Sequence, residues 1–198
     1  MKKSKLLIIF IIIIFMTVIQ QNNSSAQPLK SKNSGKLVIA GGAISDDNEE
    51  IYRQFIIYAG STRKATIGII PAASSSPAKY SKASKKTFHK YGVPEDKIII
   101  LPLAVYDDQT TEETDESQWS ENGDAPEVIK KIKQCTGIWF LGGDQTKITQ
   151  VLLHEEGRSS KALEAIWQVY HNGGVIGGSS AGAAIMSPLM IAGGGRCG

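Results

Sequence analysis

From Lys36 onward, short and nearly continuous apolar runs alternate with longer stretches whose apolar residues recur at helical spacing. The runs at 36–40 (Lys-Leu-Val-Ile-Ala), 65–70, 98–101, 137–141 and 175–178 predict five buried strands, because their residues stay apolar instead of alternating with polar ones. The intervening pattern predicts helices over 48–59, 77–91, 126–133, 144–154 and 159–172. Their inward stripes would be Ile51, Phe55, Tyr58 and Ala59 in the first, and Tyr80, Ala83, Phe88 and Tyr91 in the second. Ile148, Val151 and Leu152 would point inward from the fourth, and Leu163, Ile166, Trp167 and Tyr170 from the last. Capping chemistry marks the ends: Ser76 with Pro77 opens the second helix, Gly92 and Pro94 close it, and Gly173 stops the last. Buried strands separated by amphipathic helices predict an α/β three-layer sandwich around a mostly parallel sheet, with its sites at the carboxyl ends of the strands.

The first 35 residues follow a different rule. Met1-Lys2-Lys3-Ser4-Lys5 is a basic start, residues 6–19 are almost wholly apolar, and Ser24-x-Ala26 offers small residues for cleavage before Gln27. This predicts a signal peptide over 1–26 and a secreted or periplasmic protein, with no membrane role once the peptide is cut. The alternative is an uncleaved anchor, but the apolar run is shorter than the ~18 residues that usually span a bilayer. Residues 27–35 read as a polar linker, and 36–198 as one domain with one core.

The formal net charge of +3 counts the lysines of the first 35 residues, so the domain itself is near neutral and a nucleic-acid role has no electrostatic support. The connection 107–124 is acidic and holds no lysine or arginine; it reads as a solvated loop, with binding of a cationic substrate as the alternative. Cys135 and Cys197 are too few and too far apart for a disulfide framework, and Cys135 reads as a buried thiol. No metal or cofactor is expected. The residues do not fix an oligomeric state, and a homodimer is one state they allow.

The candidate chemistry lies in 173–186, Gly-Gly-Val-Ile-Gly-Gly-Ser-Ser-Ala-Gly-Ala-Ala-Ile-Met. Gly178-x-Ser180-x-Gly182 has the spacing of a nucleophile elbow, a sharp strand-to-helix turn that holds a serine at its apex. A turn so tight needs neighbours with little or no side chain, and Gly178, Ala181 and Gly182 meet that need. Ser180 is thus the candidate nucleophile, and the Ala181 N–H, at the start of the new helix, a candidate oxyanion donor. The plain alternative is a flexible Gly/Ser/Ala loop.

Two motifs carry a resemblance. Gly178-Ser179-Ser180-Ala181-Gly182-Ala183 resembles the signature of the cyanophycinase and dipeptidase E serine peptidases, and Ile138-Trp139-Phe140-Leu141-Gly142-Gly143-Asp144-Gln145 resembles that family's strand followed by Gly-Gly-Asp/Asn-Gln. Gly41-Gly42 and residues 183–191 fit as well, and the likeness, closer to cyanophycinase, runs from about Lys36 to the end. It implies a class I glutamine amidotransferase-like (flavodoxin-like) fold and hydrolysis of cyanophycin, an arginine-bearing aspartate polymer, to β-aspartyl-arginine through an acyl-enzyme on Ser180. A second oxyanion donor is expected from a backbone N–H at the end of the neighbouring strand, Gly143 first and Gly142 next, and the resemblance implies substrate contact by Gln145 with Asp144 beside it. Asp144 has a structural reading as a helix N-cap, and Gln145 as a helix-surface glutamine.

In that family the base and its acidic partner follow the nucleophile, whereas here only 18 residues follow Ser180. His89, His154 and His171 all precede it, at helix-surface or helix-end positions. The expectation is a C-terminally truncated chain that lacks the catalytic histidine and acid and is inactive by itself. Two rival readings remain: an α/β-hydrolase esterase, which also uses Gly-x-Ser-x-Gly, and a non-catalytic binding protein on the same fold.

Overall fold

The computed structural model describes residues 34–111 and 113–192. The expected signal peptide, most of the linker, Cys197 and the glycine-rich ending lie outside the described residues.

Five parallel strands form one sheet in the order β1-β5-β4-β2-β3: β1 (Lys36–Ala40), β2 (Ile67–Ile70), β3 (Ile98–Ile100), β4 (Gly137–Phe140) and β5 (Val175–Ser179). The helices are α1 (Glu49–Tyr58), α2 (Ser61–Lys64), α3 (Pro77–Lys90), α4 (Pro126–Gln134), α5 (Gln145–Leu152), α6 (Lys161–His171) and α7 (Ala181–Ala184). α1 and α3 cover one face of the sheet, where Phe55, Phe88 and Tyr52 meet Trp139 of β4 at ring-centroid distances of 5.1–5.8 Å. α4, α5 and α6 cover the other, packing Ile132, Ile148, Val151 and Ile166 against Ile138, Phe140 and Ile176. The architecture is the expected three-layer α/β sandwich.

The strands appear where the apolar runs predict them, with one difference in burial. Among the described residues β1 is the last strand on its side of the sheet, and Leu37 and Ile39 are 44% and 61% exposed. A run of apolar residues cannot report a strand's position in the sheet order, which long-range pairing decides. Two helix stripes are also rotated from expectation. α3 buries Ala78, Ser81, Thr87 and Phe88 while Tyr80 is 52% exposed, and α6 buries Ala162, Ala165, Ile166 and Val169 while Trp167 faces outward. Small residues on these faces let the helices approach the sheet, and the amphipathic aromatics keep a wet edge.

Most of the acidic connection is solvent-exposed, as expected, but one of its carboxylates turns inward as a clasp. Glu116 is 1% exposed; its Oε1 accepts from the Ala78 N–H (2.6 Å) and its Oε2 from the Asp108 N–H (2.7 Å). Ser76 stands at the N-cap position of α3 but makes no capping bond, so Glu116 supplies the acceptor from 38 residues away. Asp124 likewise accepts from Lys161 N–H at the start of α6 (2.8 Å) and meets His154 Nε2 at 3.0 Å.

Candidate active site

The site forms where β1, β5 and β4 end side by side. Ala40 is in register with Ser179, and Gly178 with Phe140. Past β5 the chain turns at once into α7, and the turn residue, Ser180, has φ 51° and ψ −115°. A non-glycine residue in that region carries strain of about 1–3 kcal/mol, which persists only where the surroundings fix it. Here they do: Ser180 N–H donates to Ala40 O (3.2 Å), and Ser180 O accepts from Ala183 and Ala184 N–H (3.0 and 2.9 Å). The N–H groups of Ala181 and Gly182 lie ahead of the first α7 hydrogen bonds, as helix geometry requires. Ser180 itself is exposed, while Ala181 is buried.

Glycines make the turn feasible. A methyl group on Gly178 would stand 2.7 Å from Gly182 O and 2.9 Å from Phe140 O, and one on Gly182 would collide with the Phe140 carbonyl. The first turn of α7 therefore sits directly on the end of β4. A methyl group on Gly142 would stand 3.2 Å from Ser180 Cβ, and one on Gly42 would stand 3.6 Å from Ser180 Oγ. Both glycines leave room beside the serine hydroxyl.

The structure brings Gly142, Ala181 and Gln145 to Ser180. Gly142, the second choice of the pair, is the one whose open face meets Ser180; Gly143, the first choice, at φ 140°, turns its open face to Ala73 and Ser74. Asp144 caps α5, its Oδ1 accepting from Thr146 N–H (2.9 Å) and Thr146 Oγ1 (2.6 Å). The Thr146 hydroxyl and N–H hold the Asp144 carboxyl below the ordinary carboxylate range. Gln145, the first residue of α5, shares with Ser180 a cavity of about 540 Å³ that Gly42, Ala184 and Leu189 also line, and its Nε2 donates to Ile191 O.

The histidines are engaged elsewhere. His89 Nδ1 lies 3.0 Å from Val93 O, His154 pairs with Asp124, and His171 stacks on Trp167 at 5.4 Å. Among the described residues no three His, Cys, Asp or Glu side chains gather as a metal site.

Sequence reasoning missed the β2–α3 loop. Ala73 O accepts from Asp144 N–H (2.9 Å), so Pro71-Ala72-Ala73-Ser74 fixes the Gly142–Asp144 corner from the neighbouring strand. Its signal was a run of small residues directly after a buried strand.

A parallel α/β sheet carrying a strained, exposed serine at a Gly-x-Ser-x-Gly strand-to-helix turn is the arrangement found in hydrolases with a nucleophile elbow. The sequence profile of Peptidase family S51 matches residues 37–194, and the chain belongs to that family. It is 34% identical over 160 residues to the cyanophycinase of Trichormus variabilis, covering 80% of this chain and 46% of that one. It is 30% identical over 161 residues to the cyanophycinase of Synechococcus elongatus, covering 80% and 44%. The chain thus spans about half the length of the curated relatives it matches. Among solved structures, a peptidase from an acI-B1 Actinobacterium superposes with a TM-score of 0.56 at 20% identity, over 79% of this chain and 58% of that one. A putative peptidase E protein from Listeria monocytogenes superposes with a TM-score of 0.51 at 20% identity, over 78% and 63%. These two structures support the fold.

Proposed function

We propose that the protein is an exported serine peptidase that cleaves cyanophycin, or a related β-aspartyl polymer, through an acyl-enzyme on Ser180. The observation that carries the reading is the backbone of Ser180, held at φ 51° and ψ −115° between Ala40 and the start of α7. Ser180 and Gln145 line the same open cavity, and the Ala181 N–H, at the start of α7, is the donor we assign to the developing oxyanion.

In the reaction, Ser180 Oγ forms a bond to the scissile carbonyl carbon as its own proton passes to a base. The negative charge gathers on the carbonyl oxygen, where Ala181 N–H and a glycine amide of the 142–143 pair donate to it. Collapse of this intermediate breaks the C–N bond, the amine leaves with the proton, and water later releases the acyl group from Ser180. A serine hydroxyl of ordinary acidity needs a base, usually a histidine oriented by a carboxylate. His89, His154 and His171 are held elsewhere, so we place the base outside the described residues. Gln145 carries both a donor and an acceptor suited to the substrate backbone, and Asp144 fixes the helix start that presents it.

The support for cyanophycin is the likeness to cyanophycinases at 30–34% identity. Export rests on the pattern of residues 1–26 and is checked by fractionating cells and medium. The activity is tested by incubating the complete gene product and its Ser180→Ala variant with cyanophycin. Release of β-aspartyl-arginine, reduced on the order of 10⁴-fold or more in the variant, is the expected result. Hydrolysis of p-nitrophenyl esters with no cleavage of β-aspartyl bonds would replace the peptidase with an esterase.

A further inference from the structure

The amino edge of the sheet, at the opposite end of the strands from Ser180, carries a cavity of about 550 Å³. It opens beside the first residues of β4 and β5, where α1, α2, α4 and α6 end. Its floor is small or apolar: Ala59, Cys135 and Val169 are all buried. Nothing in the reaction at Ser180 uses it.

The rim defines the chemistry. Lys64 reaches it from the end of α2 and Lys133 from the last turn of α4, both exposed. Gln134, Gln168 and Asn172 add carboxamides, each of which can turn an N–H inward. No aspartate or glutamate lines the cavity, and neither lysine forms an ion pair among the described residues. The helix ends pull the other way, since each carries about half a negative charge on its last carbonyls. Several of those carbonyls are already occupied. Ala59 O accepts from Thr136 Oγ1 (2.6 Å), Ile132 O from Cys135 N–H (3.0 Å), and Val169 O from Gly174 N–H (2.9 Å). The whole charges at the rim are both ammonium groups.

We propose that this cavity binds a small dianion, a phosphate or a dicarboxylate, between Lys64 and Lys133. The charged groups of such a ligand are rich in acceptors, and an ammonium and a carboxamide N–H each supply the donor they need. An ammonium ligand would meet two like charges with no carboxylate to offset them. Lys64 and Lys133 belong to separate elements, so one anion between them joins α2 to α4 and stabilises the folded chain by mass action. The site stands whether or not Ser180 is a nucleophile.

The test is calorimetric titration of the complete gene product with inorganic phosphate and with succinate, at pH 7.5 and constant low ionic strength. Acetate and succinamide serve as monoanionic and neutral comparisons. At least one dianion is expected to bind about tenfold more tightly than acetate, with no binding of succinamide, and to raise the melting temperature. Tighter phosphate identifies a phosphate-bearing ligand and tighter succinate a dicarboxylate; either supports the site. Lys64→Gln and Lys133→Gln are each expected to weaken binding about tenfold and together to abolish it. Lys97→Gln, at the same edge before β3 but outside the cavity, and Ser180→Ala are expected to leave it unchanged. No binding of either dianion, binding that survives the double substitution, or an equal loss in Lys97→Gln or Ser180→Ala would overturn the proposal. So would lysine variants that melt earlier yet bind as before, the mark of lysines that only complement helix ends.

Discussion

Gly178 and Gly182 lie so close that a methyl group on Gly178 would stand 2.7 Å from the Gly182 carbonyl carbon and oxygen. Two glycines four residues apart thus act as one steric unit, and it lets α7 start on the end of β4 with Ser180 at the apex. Gly178→Ala or Gly182→Ala is expected to lower stability by roughly 1–3 kcal/mol, because an added methyl in a closed contact forces the backbone to shift. Gly41→Ala, where nothing lies within 4 Å, is expected to stay within about 0.5 kcal/mol of the parent in urea unfolding.

The strain at Ser180 should appear as stability gained on its release. Glycine adopts φ 51°, ψ −115° with little cost, whereas alanine keeps the Cβ that makes it costly. Ser180→Gly is expected to be more stable than Ser180→Ala by about 1 kcal/mol, with both inactive. Equal melting temperatures would show that the backbone is relaxed at this turn.

Glu116 ties the 107–124 connection to the start of α3. Glu116→Ala removes the acceptor for two N–H groups and is expected to cost roughly 2–3 kcal/mol in chemical denaturation. Glu116→Gln keeps one acceptor oxygen but sets its NH2 against the other backbone N–H, so it is expected to be destabilising as well. A neutral effect of Glu116→Ala would contradict the clasp.

Cys135 is buried on the sheet side of α4, its Sγ 3.3 Å from Lys131 O, and burial pushes its thiol up to about 12. At pH 8 the folded protein is expected to resist alkylation at Cys135, read by peptide mass mapping, and to react fully in urea. The raised pKa favours the protonated folded state. Its contribution to stability is complete below the unfolded thiol value of about 8.5 and is lost as pH rises toward 12.

Much of this was legible in the residues because it is local. Ser180 with its flanking glycines, Asp144 at the start of α5, and the five apolar runs each declare themselves within a few positions. The rest depends on distance along the chain. Nothing near Leu37 says that, among the described residues, β1 is the outermost strand beside β5, since that follows from pairing with a strand about 140 residues away. Ser76 looked like the cap of α3, yet the acceptor comes from Glu116, and an acidic stretch reads the same whether its carboxylates face water or backbone amides. Tyr80 fitted an inward stripe, but the sheet takes the smaller Ser81 instead and leaves Tyr80 half-exposed.

The account depends most on the hydroxyl of Ser180 being the reactive group of the site. Treating the complete gene product with a fluorophosphonate and mapping the adduct by peptide mass spectrometry measures this directly. The expected result is a single adduct on Ser180, absent from Ser180→Ala. An unlabelled Ser180, or an adduct on another serine that survives the substitution, would contradict it.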